Sequence, residues 1–97
     1  VFAIIEDKVM PIERGSKYED PLDAVLKKSN LGEVTGGGSL QAANGEIKWV
    51  GVDIEVTDIH KAIPLITKTF REIGAPRGSR LEYKINGNEV VTPIHDP

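Results

Sequence analysis

The sequence contains no cysteine, a single methionine, a single tryptophan, and aromatic residues at only 5% of its 97 positions. Without cysteine there is no disulfide, no thiolate nucleophile and no cysteine-ligated zinc, so the fold must rest on its apolar core. Such a chain suits a reducing compartment, and the cytoplasm is the expected location. Long apolar runs are also missing. Nothing approaches the roughly 20 residues that cross a bilayer as a helix, and Val1 to Ile5 is too short for a secretory h-region and lacks a basic flank. No membrane partner is expected. Because the chain begins at Val1 rather than at methionine, an upstream segment carrying an address could have been removed.

Positive charge is in short supply. Lys and Arg number 12 against 15 Asp and Glu, for a net charge of -3 and a pI near 5.3. That balance offers no electrostatic footprint for a phosphate backbone, and nucleic acid is not an expected partner. What is present is ordinary for a globular chain: 39% apolar and 28% charged residues. Residues 1–97 therefore read as a single α+β domain, near the small end of what one core supports.

Three consecutive glycines, Gly36 to Gly38, remove every side chain from a stretch between two extended-looking runs. Asn44-Gly45 downstream is a two-residue hairpin signal of the type I′ kind. If Ala43 faces Glu46, the register puts Leu40 opposite Trp49, Gly38 opposite Gly51, Gly37 opposite Val52, Gly36 opposite Asp53 and Val34 opposite Glu55. From Ile47 to Thr57, Val50, Val52, Ile54 and Val56 alternate with Trp49, Gly51, Asp53 and Glu55, a half-buried strand whose first set faces the core.

Phe2 to Ile5 reads as a buried strand, broken or turned back at Val9-Met10-Pro11-Ile12, and Glu13 to Glu19 as a surface loop. A first helix is expected from Asp20, its N-cap, with Pro21 at the first helical position and Leu22, Val25 and Leu26 as its apolar stripe. It ends at Asn30-Leu31-Gly32. A second helix carries the stripe Ile59, Ala62, Ile63, Ile66, Phe70 and Ile73, capped by Thr57 or Asp58. Pro64 predicts a kink there, or a start nearer Ala62 than Ile59, and Gly74-Ala75-Pro76 closes it. Leu81, Tyr83 and Ile85 mark another half-buried strand, Asn86-Gly87 a second hairpin, and Glu89 to Ile94 a returning edge strand limited by Pro93.

Strand, helix, strand, strand, helix, strand, plus one more strand, resembles the ferredoxin-like βαββαβ sandwich. That resemblance implies an antiparallel sheet with two helices on one face, an extra C-terminal strand, and an open second face. It implies little about activity, because the architecture hosts many functions.

On that open face the expected site comprises Gly36, Gly38 and Gly51 as a bare depression, bordered by Val34, Leu40, Trp49, Asp53 and Glu55. A large aromatic beside uncovered backbone and carboxylates suits recognition of a protein, a second copy of the chain, or an apolar ligand with a cationic group. The blander reading is that the glycines only bend the strand.

Thr35-Gly36-Gly37-Gly38-Ser39 lacks the following helix and the Gly-Lys-Ser/Thr that a phosphate cradle needs. Asp53, Glu55, Asp58 and His60 include metal-ligating types, but strand charges, a cap and a surface histidine explain them without a metal. Arg71, Arg77, Arg80 and Lys84 could form a modest basic patch. His95 and Asp96 sit near the end of the chain, and Ser16, Ser29, Ser39 and Ser79 have no nucleophile-elbow setting. No catalytic residue, metal or cofactor is assigned.

The expected function is a small acidic, non-catalytic protein-interaction module, of the inhibitor, immunity or regulatory kind, acting through the open sheet face and forming a homodimer. The alternative is a small-ligand-binding protein or enzyme with a pocket beside the Gly36 to Gly38 strand.

Overall fold

Residues 1–9 and 11–95 are described by the computed structural model. Among them, β1 (Phe2–Ile5), β2 (Gly32–Gln41), β3 (Ile47–Val56), β4 (Arg80–Ile85) and β5 (Asn88–Pro93) form an antiparallel sheet in the order β2-β3-β1-β4-β5. The connection from β1 to β2 is helical, as α1 (Pro11–Arg14), a π-helical stretch (Gly15–Glu19) and α2 (Asp20–Lys28). The connection from β3 to β4 is α3 (Ile59–Ile73).

One apolar core lies between the sheet and the helices. Leu22 and Leu26 of α2 and Ala62, Ile66 and Phe70 of α3 cluster with Ala3, Ile5, Val50, Val52, Ile54 and Leu81 of the strands. The strand residues come from alternating positions, so the helices cover a single sheet face and the period-2 pattern of β3 is satisfied. The fold is thus α+β, with an antiparallel sheet and its helices on one side.

The N-terminal third departs most from expectation. Among the described residues no hairpin follows β1: Val9 enters the core and Ile12 lies in α1 at 87% exposure, while Met10 falls outside the described residues. The segment from Glu13 to Glu19 is helical rather than a loop. Its single buried side chain, Tyr18, stacks edge-on against Phe70 with ring centroids 6.1 Å apart, and that contact anchors an otherwise polar stretch. Asp20 is consequently not an N-cap. It is helical itself (φ -63°, ψ -46°), and its amide donates to the Gly15 carbonyl five residues back. The wider π turn accommodates Pro21, which has no amide to offer and would crowd the carbonyl four residues earlier in a regular α-helix.

Both long helices end as anticipated. The Leu31 amide donates to Leu26 and the Asn30 amide to Lys27, with Asn30 left-handed at φ 55°. Ala75 and Gly74 repeat the pattern on Phe70 and Arg71. Of the two alternatives at Pro64, the later start is not seen: α3 begins at Ile59, with the Asp58 carboxylate accepting from the Lys61 amide at 3.3 Å, and Pro64 lies within the helix.

The first Asn-Gly turn is also different. Ala42 accepts from the Gly45 amide at 2.9 Å and donates to Glu46 at 2.7 Å, so Ala43, Asn44 and Gly45 form a three-residue loop in which only Gly45 is left-handed. Ala43 therefore does not face Glu46. A second irregularity between Leu40 and Gln41 cancels the offset, and Leu40↔Trp49, Gly38↔Gly51, Gly37↔Val52 and Gly36↔Asp53 pair as anticipated. A further bulge between Val34 and Gly36 sets Val34 opposite Ile54 instead of Glu55. At Asn86-Gly87 both residues are left-handed, and the two-residue turn is as expected.

Candidate functional site

On the sheet face away from the helices, β3 presents Trp49, Gly51, Asp53 and Glu55, and β1 adds Phe2 and Ile4, which pair with Asp53 and Gly51. Phe2 meets Trp49 edge-to-face, with centroids 6.2 Å apart at 76°. Both rings depend on Gly51. A β-carbon there would lie 2.3 Å from Phe2 Cζ and 3.3 Å from Trp49 Cζ3, so the glycine is the seat on which the aromatic pair rests.

The depression is therefore not bare at Gly51, a correction to the sequence expectation. It is open at the other two glycines: a β-carbon on Gly38 would meet nothing within 4 Å, and one on Gly36 only Asp53 Oδ2 at 3.9 Å. Leu40, opposite Trp49, is 44% exposed and borders that open space. Val34 does not belong to the face. The bulge turns it toward the core, where it packs against the buried cluster. Gly36, Gly38, Leu40, Trp49, Gly51, Asp53 and Glu55 are brought together on one face. Sequence reasoning missed Phe2 and Ile4. Their signal was the uninterrupted apolar run, since a strand covered on both faces does not alternate.

Gly37 faces the helical layer. Its β-carbon position is 3.2 Å from Arg14 Nε and 3.3 Å from Glu19 Oε1, and those two side chains form an ion pair at 2.9 Å while only 15% and 18% exposed. Arg14 also donates to Ser39 Oγ at 3.3 Å. The middle glycine thus admits a charged clasp between the π-helical stretch and β2, which a side chain would expel.

The acidic residues do not converge. Asp53 and Glu55 share the open face, Asp58 caps α3, and His60 is exposed in its first turn. Among the described residues no three His, Asp or Glu side chains are grouped as metal ligands would be. Arg80 is paired with Glu6 at 3.0 Å and with the Gly78 carbonyl at 3.1 Å, which removes it from the basic patch considered above. His95 Nε2 contacts the Ala75 carbonyl, and Asp96 lies outside the described residues.

Beside Gly36, a hollow of about 220 Å³ is lined by Glu19, Asp20, Asp23, Val34, Thr35 and Gly36. Asp23 is already engaged, accepting from the Val34 amide at 2.9 Å and pairing with Lys27 at 2.9 Å. Those hydrogen bonds, the Val34 amide first, hold its carboxyl below the ordinary aspartate range.

Comparison with protein-family models, with curated proteins and with solved structures finds no match to this chain. No helix among the described residues is long and apolar enough to cross a membrane.

Proposed function

We propose that this chain is a non-catalytic protein-interaction module, of the inhibitor, immunity or regulatory kind, working in the cytoplasm through its open sheet face. The order β2-β3-β1-β4 with every neighbour antiparallel, and a helical connection on each side of the β2-β3 hairpin, supports placing it on the ferredoxin-like plan with β5 as the added strand. The observation that carries the functional reading is the Phe2–Trp49 pair seated on Gly51 with the exposed Leu40 beside it. A rigid aromatic anchor next to glycine backbone, on a face that no helix covers, is the composition of a contact hot spot.

Around it, Glu33 stands opposite Glu55, with Asp53 next along β3. Like charges placed directly opposite one another are costly in a sheet. They would be relieved by a partner that brings basic groups around an apolar centre, and such complementarity sets specificity and on-rate. Self-association through the same face is the homodimeric form of this reading.

Trp49→Ala is the direct test, because Trp49 lies outside the core cluster. We expect its circular dichroism and thermal midpoint to stay near wild type while an association detected by sedimentation, or a partner captured from the source cell, is lost. Unfolding of Trp49→Ala, or undiminished association by a folded variant, removes the proposal.

A further inference from the structure

We infer that a second copy of this chain pairs with the free edge of β2 at Gly36–Leu40, in antiparallel register about a two-fold axis at Gly38, extending the sheet across both copies. Ile54 donates to and accepts from Val1 in the β1 direction, so, with the alternation of an antiparallel ladder, Trp49, Gly51 and Asp53 turn their amides and carbonyls toward β2. Their partners Leu40, Gly38 and Gly36 are thereby satisfied. Gly37 and Ser39, lying between them, direct their backbone groups outward from the sheet.

The two sheet edges are not equally protected. β5 carries Glu89 and Pro93, both of which discourage pairing. On β2, the outward amide of Val34 is covered by the Asp23 carboxylate of α2. Past the bulge at Thr35, no side chain among the described residues accepts from the Gly37 or Ser39 amide, and from Val34 to Gln41 the strand contains neither charge nor proline. Of the carboxylates that line the hollow beside Gly36, Glu19 is paired with Arg14 and Asp23 with Lys27, which lessens the repulsion between two copies of a chain of net charge -3.

The occupant follows from self-complementarity. With the axis at Gly38, Gly37 of one copy faces Ser39 of the other, so the outward groups exchange a mutual pair of bonds on each side of the axis. Leu40 then lies opposite Gly36 on the open face. The exposed leucine of each copy covers the vacant space above the other's glycine, where a β-carbon would find only Asp53 Oδ2 at 3.9 Å. Such reciprocity, residue i on j and j on i, is what a two-fold interface requires. This inference concerns the strand edge and does not rest on the aromatic cluster of the face.

Three substitutions test it, read by sedimentation velocity across a concentration series with circular dichroism as the folding control. Ser39→Pro removes an amide that the ladder to β3 does not use, together with the hydroxyl that accepts from Arg14, and should weaken dimerisation by about tenfold or more, on the order expected from losing outward hydrogen bonds. Gly38→Cys, in a chain that has no other cysteine, should form a disulfide-linked dimer on mild oxidation, because residues at the axis come within bridging distance. Glu55→Cys, exposed on the same face but away from the axis, should cross-link much more slowly. If Ser39→Pro fails to fold, the cysteine comparison alone decides. A wild-type monomer at every concentration overturns the inference, as does equal cross-linking of the two cysteine variants. A dimer abolished by Trp49→Ala but indifferent to Ser39→Pro also overturns it and assigns association to the face instead.

Discussion

The carbonyl oxygen of Gly51 lies 2.7 Å from where a β-carbon on Gly37 would stand. That atom belongs to the backbone of the central strand pair and cannot step aside as a side chain can. Gly37→Ala should therefore cost about 2 kcal/mol or more, the range for overpacking a close contact, and should loosen the Arg14–Glu19 pair that shares the space. The adjacent Gly38→Ala meets nothing within 4 Å. It should stabilise the fold by up to about 1 kcal/mol, since alanine is the better strand residue at a backbone angle both can adopt. Urea unfolding midpoints of the two variants, moving in opposite directions, check this; equal shifts would show that the three glycines are interchangeable.

Asn86 is left-handed at φ 52°, whereas Asn44 is not, and it uses its Oδ1 to accept from the Glu46 amide at 3.0 Å. Identical dipeptides should therefore respond oppositely. At position 86, glycine should be tolerated and alanine should cost roughly 1 kcal/mol, the penalty for a β-carbon in the left-handed region. At position 44, alanine should be the milder change, because glycine loses the same hydrogen bond and adds freedom to the unfolded chain. Thermal melts of the four single variants settle the order; the same preference at both sites would contradict the assigned turns.

The difference between those turns explains what could be read from residues alone. Alternation along β3 and the stripe of α3 are strong periodic signals, and they placed the core face and Trp49 correctly. The pairing of Gly36 with Asp53 came out right although the turn behind it was misread, because the irregularity at Leu40 and Gln41 compensates the longer loop. Val34 was misplaced for the converse reason: one bulged residue exchanges the faces of everything beyond it, and the glycines after Thr35 signal a bend without marking the residue at which the register shifts. The helical run before Pro21 was hidden because its single buried residue, Tyr18, is stabilised by a distant contact with Phe70 rather than by any local pattern. The Phe2–Trp49 pair likewise depends on β1 lying beside β3, a topological fact that neither segment encodes by itself.

Tyr18 donates its phenolic proton to Asp7, which also accepts from Lys17 at 3.1 Å and from the Lys8 amide at 2.9 Å. Burial, followed by the bond to Asp7, pushes the phenol from an ordinary 10.0 up to about 12. Burial opposes ionisation of Asp7 as well, but the donated hydrogen bonds outweigh it and leave its pKa below the usual 3.8. The two shifts have opposite consequences. A raised folded pKa contributes stability that is complete below pH 10.0 and disappears as pH climbs toward about 12. The lowered carboxyl contributes stability that is complete above its unfolded value of 3.8 and disappears on acidification through the folded pKa. Lys17, raised above 10.5 chiefly by its bond to Asp7, adds to the alkaline loss. Tyr18→Phe should cost about 1 kcal/mol at neutral pH and flatten the alkaline limb, leaving only the Lys17 part; Asp7→Asn should flatten the acid limb. In a Tyr83→Phe background, where Tyr18 is the remaining tyrosine, tyrosinate absorbance should rise only near pH 12. A titration centred at the ordinary phenol value would mean that Tyr18 is neither buried nor bonded to Asp7, and so does not anchor the π-helical stretch.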